Sequence, residues 1–106
     1  MNLSEIQALC LEGKIIWTEH VEKRMMQRGI SRRDVKCCII NGEVIEEYPE
    51  DYPYPSCLIA GEMENKQILH VVVSVSDGIP RILNIITAYL PSLERFMPDM
   101  KTRREK

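Results

Sequence analysis

The hydrophobic pattern of this chain changes period once, at Asn41-Gly42. Before that point, apolar residues recur at spacings of three and four, which predicts helices. After it, short apolar runs separated by Pro, Gly and Asp predict strands. Helices followed by strands favour an α+β fold over an alternating α/β fold, and short connections favour antiparallel neighbours. We therefore expect N-terminal helices packed on one face of a four-stranded antiparallel sheet.

The predicted elements divide the chain into three parts. Ser4, Thr18 and Ser31 are expected to begin the three helices as N-caps, and Ser31 with Asp34 is typical of a capping box. Strands are expected at 43–48, 56–61, 68–75 and 81–89, with 14–17 as a short apolar link. A length of 106 residues is that of one domain. We expect residues 1–106 to form it, with a helical part (1–42), a sheet (43–91) and an amphipathic, then basic, tail (92–106).

Charge is segregated along the chain although the formal net charge is only −2. This net charge argues against a globally basic nucleic-acid binder, but a locally basic site stays open. Two segments carry the basic residues: Lys23, Arg24, Arg28, Arg32, Arg33 and Lys36 in the helical part, and Lys101, Arg103, Arg104 and Lys106 in the tail. They could form one phosphate-binding surface or be ordinary solvated faces.

Two further features bear on the compartment. No apolar run approaches the ~20 residues of a membrane span, and the first residues do not resemble a secretory signal. Cys10, Cys37, Cys38 and Cys57 have neither zinc-site nor disulfide-framework spacing. We expect a cytoplasmic protein with free, mostly buried thiols and no membrane contact.

The second predicted helix carries the first candidate site. His20, Arg24 and Arg28 are four residues apart and therefore share one face, away from the apolar stripe of Val21 and Met25. An imidazole can transfer a proton near neutral pH, and a guanidinium can hold a phosphate through paired donors. These residues could perform phosphoryl transfer without a metal, or they could be capping and solvated side chains.

The strands carry the second group of candidates. His70 opens the apolar run Val71-Val72-Val73, where a histidine is more often a hydrogen-bonded core residue than a catalyst. Thr87 and Tyr89 are two residues apart and so project from one face of the last strand. A hydroxyl pair beside two imidazoles would form a polar cluster. Lys101 and Arg103 of the tail are candidate phosphate contacts.

Cofactors are not indicated. The sequence has no phosphate-binding loop and no dinucleotide-binding glycine motif. A divalent metal held by His20 and His70 is weakly supported, because no histidine pair has helical ligand spacing. We expect neither a cofactor nor a metal.

Several of these residues resemble the signature of a small bacterial family, domain of unknown function 4258. The resemblance runs from Ile16 to Pro91 and includes T-E-H at 18–20, R-G-I-S at 28–31, N-G-E-V-I-E at 41–46, L-H-V-V at 69–72 and T-A-Y-L-P at 87–91. Members of the family resemble ribonuclease toxins of the RelE and barnase type. The resemblance implies an RNA site formed by His20, Arg24, Arg28, His70, Thr87 and Tyr89.

Two main functions remain open from the sequence. The leading one is a metal-independent endoribonuclease of toxin type, with His20, His70 and Tyr89 as acid–base groups and Arg24 and Arg28 on the phosphate. The alternative is a non-catalytic binding module, an antitoxin-like or regulatory protein, using the polar face, the acidic first strand or the tyrosines at 48, 52 and 54. A metal-dependent hydrolase is a weaker third possibility. Partners are thus RNA or another protein, and the oligomeric state is not predicted.

Overall fold

The computed structural model of the chain describes residues 2–105. It has an α+β architecture with all three predicted helices and one more strand than predicted. The elements in chain order are α1 (Leu3–Leu11), β1 (Ile15–Ile16), α2 (Glu19–Gln27), α3 (Arg32–Asn41), β2 (Glu43–Tyr48), β3 (Ser56–Glu62), β4 (Ile68–Ser76) and β5 (Ile82–Tyr89).

The sheet is five-stranded and mixed, so the expectation of four antiparallel strands was wrong. Strand order is β1-β5-β4-β3-β2, and β2 to β5 are antiparallel to one another as predicted. The difference comes from Ile15 and Ile16, which pair in parallel with Leu83 and Asn84 of β5. Two residues are too few to show a strand period, so this segment had been predicted as a link.

Helix starts follow the capping residues, with one correction. Thr18 accepts a hydrogen bond from the amide of Val21, and Ser31 forms the predicted capping box with Asp34. The first helix begins earlier than predicted, because Asn2 caps it and Ser4 lies inside it. Asn and Ser are equally good N-caps, so local preference does not choose between them.

One face of the sheet carries the hydrophobic core. Leu69, Val71 and Val73 of β4 pack there with Val35, Cys38 and Ile39 of α3 and Ile6 of α1. The opposite face is covered at one end by the tail, residues 92–105, which forms no helix. Phe96 of this tail is 2% exposed and packs on His70 of β4. All four cysteines are free, and in residues 2–105 no helix is long and apolar enough to cross a membrane.

Candidate functional site

Strand register places the predicted residues of the sheet on the face opposite the helices. His70 pairs with Tyr89, and Val72 pairs with Thr87. In β3, Ala60 pairs with His70 and lies outside the hydrophobic core cluster that the helices form with the sheet. Because side chains alternate along a strand, His70, Thr87 and Tyr89 share this face. We call it the open face, since the helices do not pack on it; the tail covers part of it.

Helix α2 lies beside the part of β5 that β1 leaves unpaired. The two residues of β1 pair with Leu83 and Asn84 only. Farther along β5, Arg28 at the end of α2 donates from Nη1 to the Ala88 carbonyl at 2.8 Å. The same Nη1 lies 3.5 Å from Thr87 Oγ1. The structure therefore brings together Arg28 and Thr87, two residues that the sequence analysis had placed in one site.

His20 and Arg24 extend the same helix face away from Arg28. Both are exposed, and within residues 2–105 neither side chain has a hydrogen-bond or ion-pair partner. Val21 and Met25 occupy the buried side of α2, as the periodicity predicted. We name the row of His20, Arg24 and Arg28 the α2 face. The imidazole of His20 and the guanidinium of Arg24 are free to bind a ligand.

His70 lies inside the protein, between the sheet and the tail. It is 0% exposed, its Nε2 is 2.6 Å from the Met100 carbonyl oxygen, and its Nδ1 is 3.3 Å from Tyr89 Oη. A carbonyl only accepts hydrogen bonds, so Nε2 carries the proton and Nδ1 of the neutral ring accepts one from Tyr89. Burial lowers the pKa of His70, and the Met100 carbonyl opposes this only in part. His70 is thus a neutral residue that holds Tyr89.

Tyr89 borders a cleft of about 290 Å³ at the end of β5. Arg95, Phe96 and Arg103 of the tail also line this cleft. Burial raises the pKa of Tyr89, while the charges of Arg103 and Arg95 act in the opposite direction. The phenol is therefore protonated near neutral pH and lies within the field of two guanidinium groups.

The two tail residues predicted to bind phosphate are engaged with carboxylates of β2. Lys101 Nζ lies 3.0 Å from Glu43 Oε2, and Arg103 forms a two-point ion pair with Glu46. Burial raises the pKa of Glu46, but the hydrogen bonds from Arg103 and Tyr48 outweigh it and lower the pKa below its usual value. This carboxylate stays charged and fixes the tail on the open face.

Two places therefore emerge from the predicted residues. The first place is the α2 face with Thr87, and the second is the His70–Tyr89 pair under the tail. Strand β5 connects the two places, because Thr87 and Tyr89 are two residues apart on it. His20 and His70 are not in contact with each other. Sequence reasoning missed Arg95 and Glu46, because their relevance arises only when the tail folds back onto the sheet.

Metal ligands are not clustered in the described chain. Within residues 2–105, no group of three His, Cys, Asp or Glu side chains is placed to hold a metal ion.

Comparison with known proteins found one family. Its sequence model, described as Domain of unknown function (DUF4258), matches residues 17–90. This range contains α2 and every strand from β2 to β5, hence the α2 face, His70, Thr87 and Tyr89. No curated protein and no solved structure matched the chain.

Proposed function

The chain belongs to the DUF4258 family of domains of unknown function, and for it we propose a metal-independent endoribonuclease activity of toxin type. The observation that carries this proposal is the hydrogen bond from Arg28 to Ala88, which directs the α2 face along the unpaired edge of β5. A RelE-like or barnase-like ribonuclease architecture is part of the proposal. Helices packed on one face of a sheet, with polar residues on the other, support it.

The shape of the α2 face favours a strand of RNA over a single small phosphate. His20 and Arg28 are eight residues apart, and at a rise of about 1.5 Å per residue the face is about 12 Å long. Arg24 lies midway and has no partner among residues 2–105. A guanidinium holds a phosphate through two parallel donors and stays charged at any physiological pH. One strand of RNA can therefore lie along the α2 face and present its scissile phosphate to Arg24 and Arg28.

The proposed reaction is attack of a ribose 2′-oxygen on the adjacent phosphorus. The new O2′–P bond forms as the P–O5′ bond breaks, giving a 2′,3′-cyclic phosphate and a free 5′-hydroxyl. One group takes the proton from the 2′-hydroxyl, and another gives a proton to the departing 5′-oxygen. The guanidinium groups of Arg24 and Arg28 stabilise the extra negative charge of the pentacoordinate phosphorus.

His20 and Tyr89 are the proposed proton-transfer groups that touch RNA. His20 is an exposed imidazole that can take or give a proton. Tyr89 is a protonated phenol that His70 Nδ1 positions at 3.3 Å. As the P–O5′ bond breaks, the phenol proton turns from His70 to the departing 5′-oxygen. His70 itself is fully buried, so its part in the proposal is to position Tyr89 and accept its hydrogen bond. RNA would bring its scissile linkage between α2 and the end of β5, beside Thr87.

Lys101 and Arg103 enter the proposal as further phosphate contacts. Both now pair with glutamates of β2, at side-chain exposures of 36% for Lys101 and 51% for Arg103. Exposed ion pairs contribute only about 0–1 kcal/mol, so a phosphate of RNA can compete with these carboxylates. A reducing, cytoplasmic setting is also proposed, to which four unbridged cysteines are suited.

The test is RNA cleavage by purified protein in EDTA, followed by end-group analysis of the products. We expect 2′,3′-cyclic phosphate ends and a fall of about 10²–10⁴-fold in rate for His20→Ala, as loss of a positioned acid–base group gives. Met26→Ala is the matched control, because Met26 is 81% exposed on the same helix but away from the α2 face. It should cleave at the parent rate.

Arg24 and Tyr89 provide the second pair of variants. Arg24→Gln should slow cleavage and reduce the salt dependence of RNA binding by about one phosphate contact, whereas Arg33→Gln should do neither. Arg33 is an exposed arginine of α3 that pairs with Glu64. Equal cleavage by the parent, His20→Ala and Arg24→Gln would contradict the proposal, as would cleavage that stops in EDTA.

A protein-binding module is the second candidate, and the position of β2 favours it. In residues 2–105, β2 is one of the two edge strands of the sheet and pairs with β3 alone. An edge strand can pair with an extended segment of a partner through its main-chain groups. An antitoxin-like partner would then add a strand beside β2. Absence of RNA cleavage, together with no effect of expression on growth of the host, would favour this function.

A further inference from the structure

A second cleft lies on the open face, at the end of the sheet that the tail leaves uncovered. Its volume is about 400 Å³. The strands contribute Ser74, Ser76, Asn84 and Ile86, and the loop between β2 and β3 contributes Asp51 and Tyr52, among others. None of these residues belongs to the α2 face or to the His70–Tyr89 pair. We call this space the loop cleft.

The polar groups at the base of the loop cleft are held in a fixed arrangement. Asn84 Nδ2 donates to Ser74 Oγ at 3.3 Å and to Ser76 Oγ at 3.0 Å. Both amide protons are thereby used, and Asn84 Oδ1 accepts no hydrogen bond from the described residues. The serine hydroxyl protons also stay available. The base of the cleft can therefore both accept and donate hydrogen bonds to a planar polar edge.

Aromatic and apolar side chains form the walls of the same cleft. Tyr52 is 95% exposed and lines it from the loop, and Ile86 is 44% exposed and lines it from β5. Ile86 is the extra residue of a β-bulge, since Ile85 pairs with Val73 and Thr87 pairs with Val72. A bulge redirects a side chain from the regular alternation. Flat apolar surface next to hydrogen-bonding groups fits an aromatic heterocycle.

The charge of the loop cleft disfavours a phosphate as its occupant. Asp51 is among the residues that line it, and no lysine or arginine is. An anionic group would be repelled by this carboxylate, whereas a neutral base would not. A positive charge lies outside this cleft, at Arg28 beside Thr87.

The distance between the loop cleft and the Arg28–Thr87 contact fits one nucleotide. Asn84 pairs with Ser74 and Thr87 pairs with Val72, so they occupy adjacent rows of the open face. Two residues along a strand cover about 7 Å. We propose that the loop cleft binds a nucleobase of the RNA strand whose phosphate lies at Arg28 and Thr87. This inference rests on the proposed ribonuclease function and adds a base-binding subsite to it.

The experiment compares adenosine 5′-monophosphate with ribose 5-phosphate, which keeps the sugar and phosphate but lacks the base. Affinities are measured by titration calorimetry on the full chain, and by amide chemical shifts of residues 74, 76 and 84. We expect the parent to bind the nucleotide at least about fivefold more tightly, as stacking of one base on an aromatic ring gives. Tyr52→Ala should remove this preference, and Tyr52→Phe should keep it.

Ile79→Ala is the matched control, because Ile79 is a fully exposed apolar residue in the loop before β5. Equal affinity of the parent for the two probes would overturn the proposal, and so would an unchanged preference in Tyr52→Ala. Failure of the subsite and failure of the ribonuclease proposal are distinguishable. Cleavage that depends on His20 without any base preference removes the subsite alone. Base preference without cleavage leaves the subsite and removes the nuclease.

Discussion

Replacement of His70 tests the environment that the fold builds around this imidazole. The ring is completely buried, with Phe96 at a ring-centroid distance of 4.6 Å and hydrogen bonds to the Met100 carbonyl and Tyr89. Burial is the main reason that its pKa is lowered; the charges of Glu46 and Arg103 act on it in opposite directions. The folded protein therefore resists protonation of His70, and the unfolded chain does not.

The sign of the pH effect follows from this difference. At pH values between the pKa of His70 in the folded protein and the ordinary histidine pKa of about 6.5, the unfolded chain binds a proton that the folded chain does not. The contribution of His70 to the free energy of unfolding is fully present above pH 6.5 and decreases as pH falls through this window. One proton corresponds to a slope of up to about 1.4 kcal/mol per pH unit. With a urea m-value of about 1–3 kcal/mol/M, the midpoint should move by about 0.5–1.4 M per unit.

Urea unfolding between pH 7.5 and pH 5 measures the effect. His70→Gln should be less stable than the parent at pH 7.5, because it loses the packing of the ring, but its stability should change less with pH. The chain has only two histidines, so His20→Gln is the natural control and should keep the slope of the parent. Equal slopes for the parent and His70→Gln would refute the reasoning, as would loss of the slope in His20→Gln.

Three further predictions concern packing, capping and thiol reactivity. Gly61→Ala should lower the free energy of unfolding by about 3 kcal/mol or more, because the added Cβ would lie 2.1 Å from the Cys38 carbonyl oxygen. Gly78→Ala is the control and should cost under about 0.5 kcal/mol, because its Cβ would have its nearest atom at 4.0 Å. Similar urea midpoints for the two variants would contradict this. Ser31→Ala should cost about 1 kcal/mol through loss of the capping box, and Ser4→Ala, which caps nothing, should cost clearly less in the same melts. Burial raises the pKa of Cys38 to about 12 and of Cys57 to about 11. Iodoacetamide should therefore label the half-exposed Cys37 first, as measured by peptide mass spectrometry. Faster labelling of Cys38 would disprove the burial argument.

Much of the fold could be predicted because its signals are local. Thr18 and Ser31 mark the starts of α2 and α3 through hydrogen bonds to amides three residues ahead. The β-branched run around Val72 predicts a strand whichever strands flank it. The shared face of His20, Arg24 and Arg28 follows from helical spacing alone, and so does their separation from the buried side of α2.

Other features could not be predicted because they depend on residues distant in sequence. Ile15 and Ile16 become a strand only through pairing with β5. The start of the tail has an amphipathic pattern, but the tail forms no helix and folds back onto the sheet, a path that this pattern does not indicate. Arg103 and Glu46, which hold it on the sheet, are far apart in the sequence. The mixed sheet and the covered half of the open face were for this reason absent from the sequence-based expectations.

The sequence alone determined the α+β class and the antiparallel order of β2 to β5. It also determined two of the three helix caps and the polar residues of α2. Each of these features depends on local patterns along the chain. Tertiary structure decided what those polar residues meet. Arg28 reaches β5 because β1 leaves that edge unpaired. His70 is buried because Phe96 and the Met100 carbonyl fold back over it. Two histidines of equal chemistry thus differ, one exposed on a helix and one neutral in the interior, because packing controls solvation.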